Sequence, residues 1–464
     1  MGEKDFRIEN DSMGEMKVPI DAYWGAQAQR AYLNFPVSGI RFPRGFIHAL
    51  GMIKLAAAQV NMKLELLDQE RGKVIERAAS EVRDGKFDDQ FILDIFQTGS
   101  GTSTNMNANE VIASRANELL GGKIGSKIPV HPNNHVNMGQ SSNDVIPSCI
   151  HVAALEGLEK DLIPALKTLE SSLSKKSKEF DRIVKVGRTH MQDATPVRLG
   201  QEFGGYASMI SHGIRRITRT VDHLSELAIG GTAVGTGINT HPEFGVMMTA
   251  RLSEMTGLTF KETENHFEAQ GSKDAIVETS SALKTLAVSL MKIANDIRFL
   301  SCGPRCGIGE IILPAVQPGS SIMPGKVNPV IAESVCQVAA QVIGNDTTIA
   351  MSGLSGNLEL NVMMPIMAYN LLQSIDILAG VSKIFAEKCI DGIQADEKRI
   401  GELIDKSLAL CTALSPHIGY DAASKIAKEA YETGKTISQI AHEKKILPEE
   451  ELKEVLDPWR MTER

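Results

Sequence analysis

The sequence predicts a mainly α-helical protein of several domains, and three observations carry that prediction. From Ile276 to Leu300, apolar side chains repeat every seven residues, with Leu283, Leu290 and Ile297 in one seam and Leu286, Ile293 and Leu300 in another. A seven-residue repeat keeps a long helix facing its neighbours along its whole length, the geometry of a bundle. Leu155, Leu158, Leu162, Leu166, Leu169 and Leu173 draw a second stripe at helical spacing. Strand-like alternation of apolar and polar residues is scarce.

At 464 residues the chain is long enough for two or three domains. Boundaries are expected near Met138, before a long run of helices, and near Gln394, where a shorter, charged segment begins. This gives an N-terminal domain over 1–138, a central helical-bundle domain over 139–394 and a C-terminal domain over 395–464. Within the bundle, Pro164 should kink its helix because it removes a backbone donor. Further periodic stretches run from Leu199 to Leu227 and from Val327 to Ala350. The last segment ends in Lys445-Ile446-Leu447-Pro448 and Trp459. No internal repeat or low-complexity tract stands out.

Apolar residues make up 42% and charged residues 23%, which argues for a chain folded throughout. The net charge of −8, with both signs interleaved, leaves no broad cationic face for nucleic acid or anionic lipid. Residues Met1 to Arg7 lack the apolar core of a signal peptide and carry too many acids for a transit peptide, and no apolar run reaches membrane-spanning length. The expectation is a cytoplasmic protein. Cys149, Cys302, Cys306, Cys336, Cys389 and Cys411 mostly lie in apolar, helix-like stretches, as buried thiols of a reducing compartment do. The Cys302/Cys306 pair has no second pair or nearby histidine, so it reads as a structural loop and no metal is expected.

Four polar loops interrupt the apolar helices. Thr98-Gly99-Ser100-Gly101-Thr102-Ser103-Thr104-Asn105-Met106-Asn107 precedes the helical pattern Asn109-Glu110-Val111-Ile112. Small residues before a helix expose free N–H groups that attract anions, and an elaborate N-cap explains the same composition equally well. Gln140-Ser141-Ser142-Asn143-Asp144 opens another helix after His131-Pro132-Asn133-Asn134-His135. The two histidines have i, i+4 spacing, but Pro132 and two asparagines make the segment a turn, which favours an anion-contacting loop over a metal site. The third loop is Gly187-Arg188-Thr189-His190-Met191-Gln192-Asp193-Ala194-Thr195-Pro196. By itself it fits a structural histidine better than a catalytic one. Gly319-Ser320-Ser321-Ile322-Met323-Pro324-Gly325-Lys326-Val327-Asn328-Pro329 reads equally as a mobile loop and as a surround for one small anion. The run Gly231–Gly237 follows a helix instead of a strand and lacks Lys-Ser/Thr, so it is not a dinucleotide cradle.

The fourth loop resembles the signature of the fumarase/aspartase superfamily of lyases, Gly-Ser-Ser-x-Met-Pro-x-Lys-x-Asn-Pro, without a gap. The other loops resemble the family's remaining shared regions, from Asp21-Ala22-Tyr23-Trp24-Gly25-Ala26-Gln27 to His417-Ile418-Gly419-Tyr420. Ser100 in the first loop and the His241-Pro242 pair look like class II fumarases, with aspartate ammonia-lyase as the nearest alternative and a retired, crystallin-like structural protein as a more distant one. Asn134 stands where fumarases often carry Asp, a departure that touches the family's secondary anion site, here His131, Pro132, Asn133 and Asn134.

The resemblance implies a three-domain fold whose central helices form the core of a homotetramer, with active sites shared between subunits. It also implies reversible hydration of fumarate to L-malate, a step of the tricarboxylic acid cycle, with a small dicarboxylate substrate and neither cofactor nor metal. Ser320 would then be the base, Lys326 and Asn328 donors to the carbanion, His190 the group that handles water and Glu333 its orienting carboxylate. Ser100, Gly101, Thr102, Ser141, Ser142, Asn143, Thr189, Ser321 and Val327, with Lys326 and Asn328, would bind the substrate.

Overall fold

The computed structural model describes residues 6–463. Residues 1–5, on which the expectation about a leader largely rests, lie outside the described residues. The chain divides into two compact units, one of residues 1–164, 215–287 and 340–379, the other of 165–214, 288–339 and 380–464. Helices dominate, and each sheet among the described residues has only two strands.

The heptad stretch forms a helix over Asp274–Leu300, and all six of its seam residues are buried. The leucine stripe is buried too, but its helix is interrupted. A helix over Ser142–Gly157 passes into a widened turn, Leu158–Leu162, before a helix resumes over Ile163–Glu179. Pro164 has no N–H to give to the preceding turn, and a π-type turn accommodates such a break without unwinding the helix.

In the first unit, the Arg44–Lys63 helix is buried over most of its length, Lys54 included. The Thr102–Leu119 helix starts five residues earlier than the Asn107 limit of the polar loop. The polar run hides that start because its side chains serve the interior. Thr104 Oγ1 donates to Gln97 (2.9 Å), Asn107 to the Gln90 carbonyl (3.0 Å), and Asn105 and Asn109 to Asn137 Oδ1 (3.2 and 3.1 Å). Segment Pro132–Val136 is a single helical turn. The glycine-rich run follows a two-residue strand, Glu226–Leu227, and not the helix directly.

The Met364–Lys388 helix corrects another expectation. Residues 364–392 are long and apolar enough, by length and composition, to cross a membrane. Interspersed Asn370, Gln373 and Ser374 mask the run in the sequence, and they are used internally. Asn345 Nδ2 donates to the Gln373 side chain (2.9 Å) and to Ser374 Oγ (3.0 Å), and 67% of the most apolar window is buried.

The second unit holds a hairpin that the sequence did not suggest, Val184–Thr189 paired antiparallel with Gln192–Arg198. It also holds a C-terminal cluster built on Leu414, Ile426, Ile437 and Ile440. Of the six cysteines only Cys149 and Cys389 are buried, while Cys306 is exposed, because Cys306 lies in a turn-rich loop outside any helix.

Candidate active site

Two sets of predicted residues are each drawn together, one in each unit. In the first unit the starts of the Thr102–Leu119 and Ser142–Gly157 helices are joined by hydroxyls. Ser100 Oγ lies 2.7 Å from Thr102 Oγ1, which lies 2.6 Å from Ser142 Oγ. The loop before Thr102 is held tightly. A Cβ on Gly99 would stand 1.6 Å from the Val362 carbonyl oxygen, and the Met364 N–H donates to the Gly99 carbonyl at 3.0 Å. Only glycine permits that approach.

Ser141 caps its helix. Its Oγ accepts from the Asn143 N–H, and Asp144 returns a carboxylate to the Ser141 N–H at 2.9 Å, completing a capping box. The other Asp144 oxygen accepts from the N–H groups of Gly230 (3.1 Å) and Thr232 (2.9 Å), and Asn143 Nδ2 donates to the Ala233 carbonyl (2.7 Å). The glycine-rich run therefore serves as a backbone clamp for this helix start. Burial pushes the Asp144 carboxyl up to about 6, opposed by its three N–H donors and by Lys54. The side-chain cap expected for the Thr102 helix is not formed, its N-cap being Gly101 with no side-chain bond; the capping box belongs to Ser141 and Asp144 of the Ser142 helix, and the Ser100, Thr102 and Ser142 hydroxyls lie at the two helix starts.

At the neighbouring turn, His131 Nδ1 accepts from the N–H groups of Asn133 (3.1 Å) and Asn134 (3.2 Å), and His135 Nδ1 accepts from the His131 N–H (2.9 Å). Both imidazoles therefore carry their proton on Nε2 when neutral. Burial lowers the pKa of each. Pro132 is buried, and Asn133 and Asn134 are exposed.

In the second unit, loop 319–329 closes on itself. The Gly319 N–H donates to the Lys326 carbonyl (2.8 Å), and Asn328 Nδ2 donates to the Gly319 carbonyl (2.6 Å). A Cβ on Gly319 would stand 2.5 Å from the Lys326 oxygen, so this closure also needs glycine. Ser320 Oγ accepts from the backbone N–H groups of Ile322 (3.2 Å) and Met323 (2.9 Å). The loop borders a cavity of about 400 Å³ lined in part by Ser320, Met323, Lys326 and Val327. Ser321, Lys326 and Val327 are exposed. Glu333 sits in the first turn of the Val330–Gly353 helix, its N–H bonded to the Pro329 carbonyl at 3.0 Å.

His190 and Met191 form the tip of the hairpin, exposed, with φ of 55° and 61°. Both central turn positions are thus left-handed, a conformation that glycine and asparagine adopt easily and that costs other residues about 1–3 kcal/mol each. Beneath the tip lies a charged scaffold. Buried Lys185 pairs with Glu202 (2.9 Å) and Glu310 (3.2 Å), and Arg188 pairs with Glu310 (2.9 Å). Among the described residues, no hydrogen bond or ion pair joins His190 to Glu333 or to Ser320, and no group of three metal-ligating side chains is found.

Sequence reasoning missed Lys54, buried beneath the first set, and the clamp formed by residues 230–233. A single lysine inside Gly51-Met52-Ile53-Lys54-Leu55-Ala56-Ala57-Ala58 was the available signal, because a fully buried ammonium is rare.

Comparison with known proteins identifies the family. A family model described as lyase matches residues 14–344, and one described as the fumarase C C-terminus matches 410–463. The chain is 57% identical to a class II fumarate hydratase of Halobacterium salinarum, covering 99% of this chain and 98% of the relative. It is 54% identical to the mitochondrial fumarate hydratase of Saccharomyces cerevisiae, covering 98% and 94%. A crystal structure of class II fumarase from Schistosoma mansoni superposes with a TM-score of 0.95 at 41% identity, covering 98% and 99%.

Proposed function

The chain belongs to the lyase family, and within it to the class II fumarate hydratases, and from that premise we propose how its residues interconvert fumarate and L-malate. It is a hydro-lyase acting on a dicarboxylate. Dehydration of malate removes a weakly acidic proton from the carbon beside a carboxylate, so the reaction needs a base and preorganised donors for the charge that spreads into that carboxylate.

Ser320 is the base. The observation that carries this reading is the pair of backbone N–H groups aimed at Ser320 Oγ. Hydrogen bonds to the charged form favour it, and Lys326 in the same loop adds positive charge. Ser320 takes the proton, and the electron pair moves into the adjacent carboxylate, which meets Lys326 and the second N–H of Asn328. The C–O bond then breaks, and His190 gives the departing hydroxide the proton that makes it water. Hydration runs these steps backwards, with His190 removing a proton from water and Ser320 returning one to carbon. Ser100, Thr102, Ser141, Ser142, Asn143 and Thr189, with the N–H groups of the two helix starts, hold the dianion through neutral donors and fix its geometry.

The site is shared between the subunits of a homotetramer. That no side-chain hydrogen bond or ion pair of His190 or Glu333 is found among the described residues supports this reading. So do the exposed Val288 and Met351 side chains on long helices that bury one face and leave another uncovered. The role of His131 to Asn134 is a secondary anion site, and the location is cytoplasmic. No metal or cofactor takes part in the proposed steps.

Incubation with malate and, separately, with aspartate tests the reaction. Fumarate absorbance should rise with malate alone, and a rise with aspartate instead would replace the reading by an ammonia-lyase.

A further inference from the structure

Lys54 is fully buried, with relative exposure of 0%, and among the described residues no carboxylate is hydrogen-bonded to it. Its Nζ donates to Asn137 Oδ1 (3.0 Å) and Gln140 Oε1 (2.9 Å). Asn137 Oδ1 also accepts from Asn105 and Asn109 of the Thr102–Leu119 helix. Gln140, which directly precedes Ser141, donates to the Val136 and Met138 carbonyls (both 3.1 Å). One ammonium is therefore bonded to the hub that ties together the two helix starts carrying Thr102 and Ser142.

Burying an ammonium costs several kcal/mol, only part of which the field of buried Asp144 offsets, and a neutral amide could hold Asn137 and Gln140 at far lower cost. The charge needs a use. Burial pulls Lys54 down to about 7, while the field of Asp144 opposes that shift. The side chains assigned to the carboxylates in this unit, Ser100, Thr102, Ser141, Ser142 and Asn143, are all neutral, whereas the substrate is a dianion. In a low-dielectric interior a cation behind such donors acts over several ångströms.

We propose that Lys54 is a positioning residue that sets the affinity for the substrate dianion, by fixing Asn137 and Gln140 and by supplying positive potential behind the Thr102 and Ser142 helix starts. This rests on the assignment of those loops to the substrate carboxylates.

The test separates charge from scaffold. Lys54→Gln keeps donors but removes the charge, and it should raise KM for both malate and fumarate about tenfold while kcat changes less than about threefold. Asn137→Asp keeps the acceptor contacts of Oδ1 and neutralises Lys54 in place, at the loss of the Nδ2 bond to the Gln140 carbonyl (3.1 Å), so it should raise KM at least as much even if Lys54→Gln does not fold. A wild-type KM in a folded Lys54→Gln or in Asn137→Asp overturns the proposal. Ser142→Ala, measured alongside, distinguishes the two levels. An unchanged KM there removes the loop assignment itself, whereas a raised KM with both charge variants normal removes only the role of Lys54.

Discussion

The helix starts at Thr102 and Ser142 and the loop at Ser320 are equally polar in sequence, yet the protein builds them differently. The first pair is a closed network in which hydroxyls, a capping box, a backbone clamp and the hub above Lys54 leave few groups free to move. The second is bonded mostly to itself, with Ser321 to Val327 exposed, and its histidine counterpart stands on a strained hairpin tip. Binding groups can be fixed before the substrate arrives, since a dianion needs the same donors throughout. Groups that exchange protons must stay accessible, and their remaining surroundings are left to whatever closes over them.

The contrast can be broken most sharply at Ser320. Ser320→Ala should lower kcat at least about a thousandfold with KM little changed, and His190→Asn should lower it about a hundredfold or more. Near-normal fumarate turnover in both, followed by ultraviolet absorbance, would remove the chemistry from this half. If sites are shared, mixing the two inactive proteins under conditions that exchange subunits should restore activity to a measurable fraction of wild type, and no recovery after verified exchange argues for sites within one chain.

On the binding side, Thr102→Val should act in the opposite sense, raising KM roughly tenfold, about the worth of one charge-assisted hydrogen bond, with a smaller loss of kcat. A kcat loss as large as that of Ser320→Ala would blur the distinction between the halves.

A smaller effect concerns His151, in the later half of the Ser142–Gly157 helix, where burial lowers its pKa to about 4. Unfolding restores a value near 6.5, so between pH 4 and 6.5 the unfolded chain binds more protons and stability rises with pH by about 3 kcal/mol. Thermal midpoints should climb over that window in the wild type and more gently in His151→Gln.

The smallest is Met191→Gly, which relieves one left-handed residue and should stabilise the fold by about 1 kcal/mol. A lowered midpoint would show that the tip is not strained.

How much of this was legible depended on which signal dominated. The Asp274–Leu300 helix could be read to within two residues at its start because its period is set by apolar packing alone. The start at Thr102 could not, since Thr104, Asn105 and Asn107 look like loop residues until their interior partners are known. The hairpin escaped notice because His190 and Met191 are poor turn formers and Pro196 sits within a strand. Ser320, Lys326 and Asn328 were identifiable as a motif, whereas the hydrogen bonds that Ser320 Oγ accepts come from backbone N–H groups, which carry no residue-level signal. Lys54 was visible only as an anomaly in an apolar run.

The Ser100–Thr102–Ser142 row has one further property. Each hydroxyl can give or take a hydrogen bond, and Thr102 in the middle does both, so the row has two senses, one with all three hydrogens pointing one way and one with all three reversed. Concerted rotation about three C–O bonds switches between them without moving any heavy atom. A row made this way can offer a hydrogen to a carboxylate oxygen in one sense and a lone pair to a water or an alcohol in the other, which suits an enzyme that must meet its reaction from both ends.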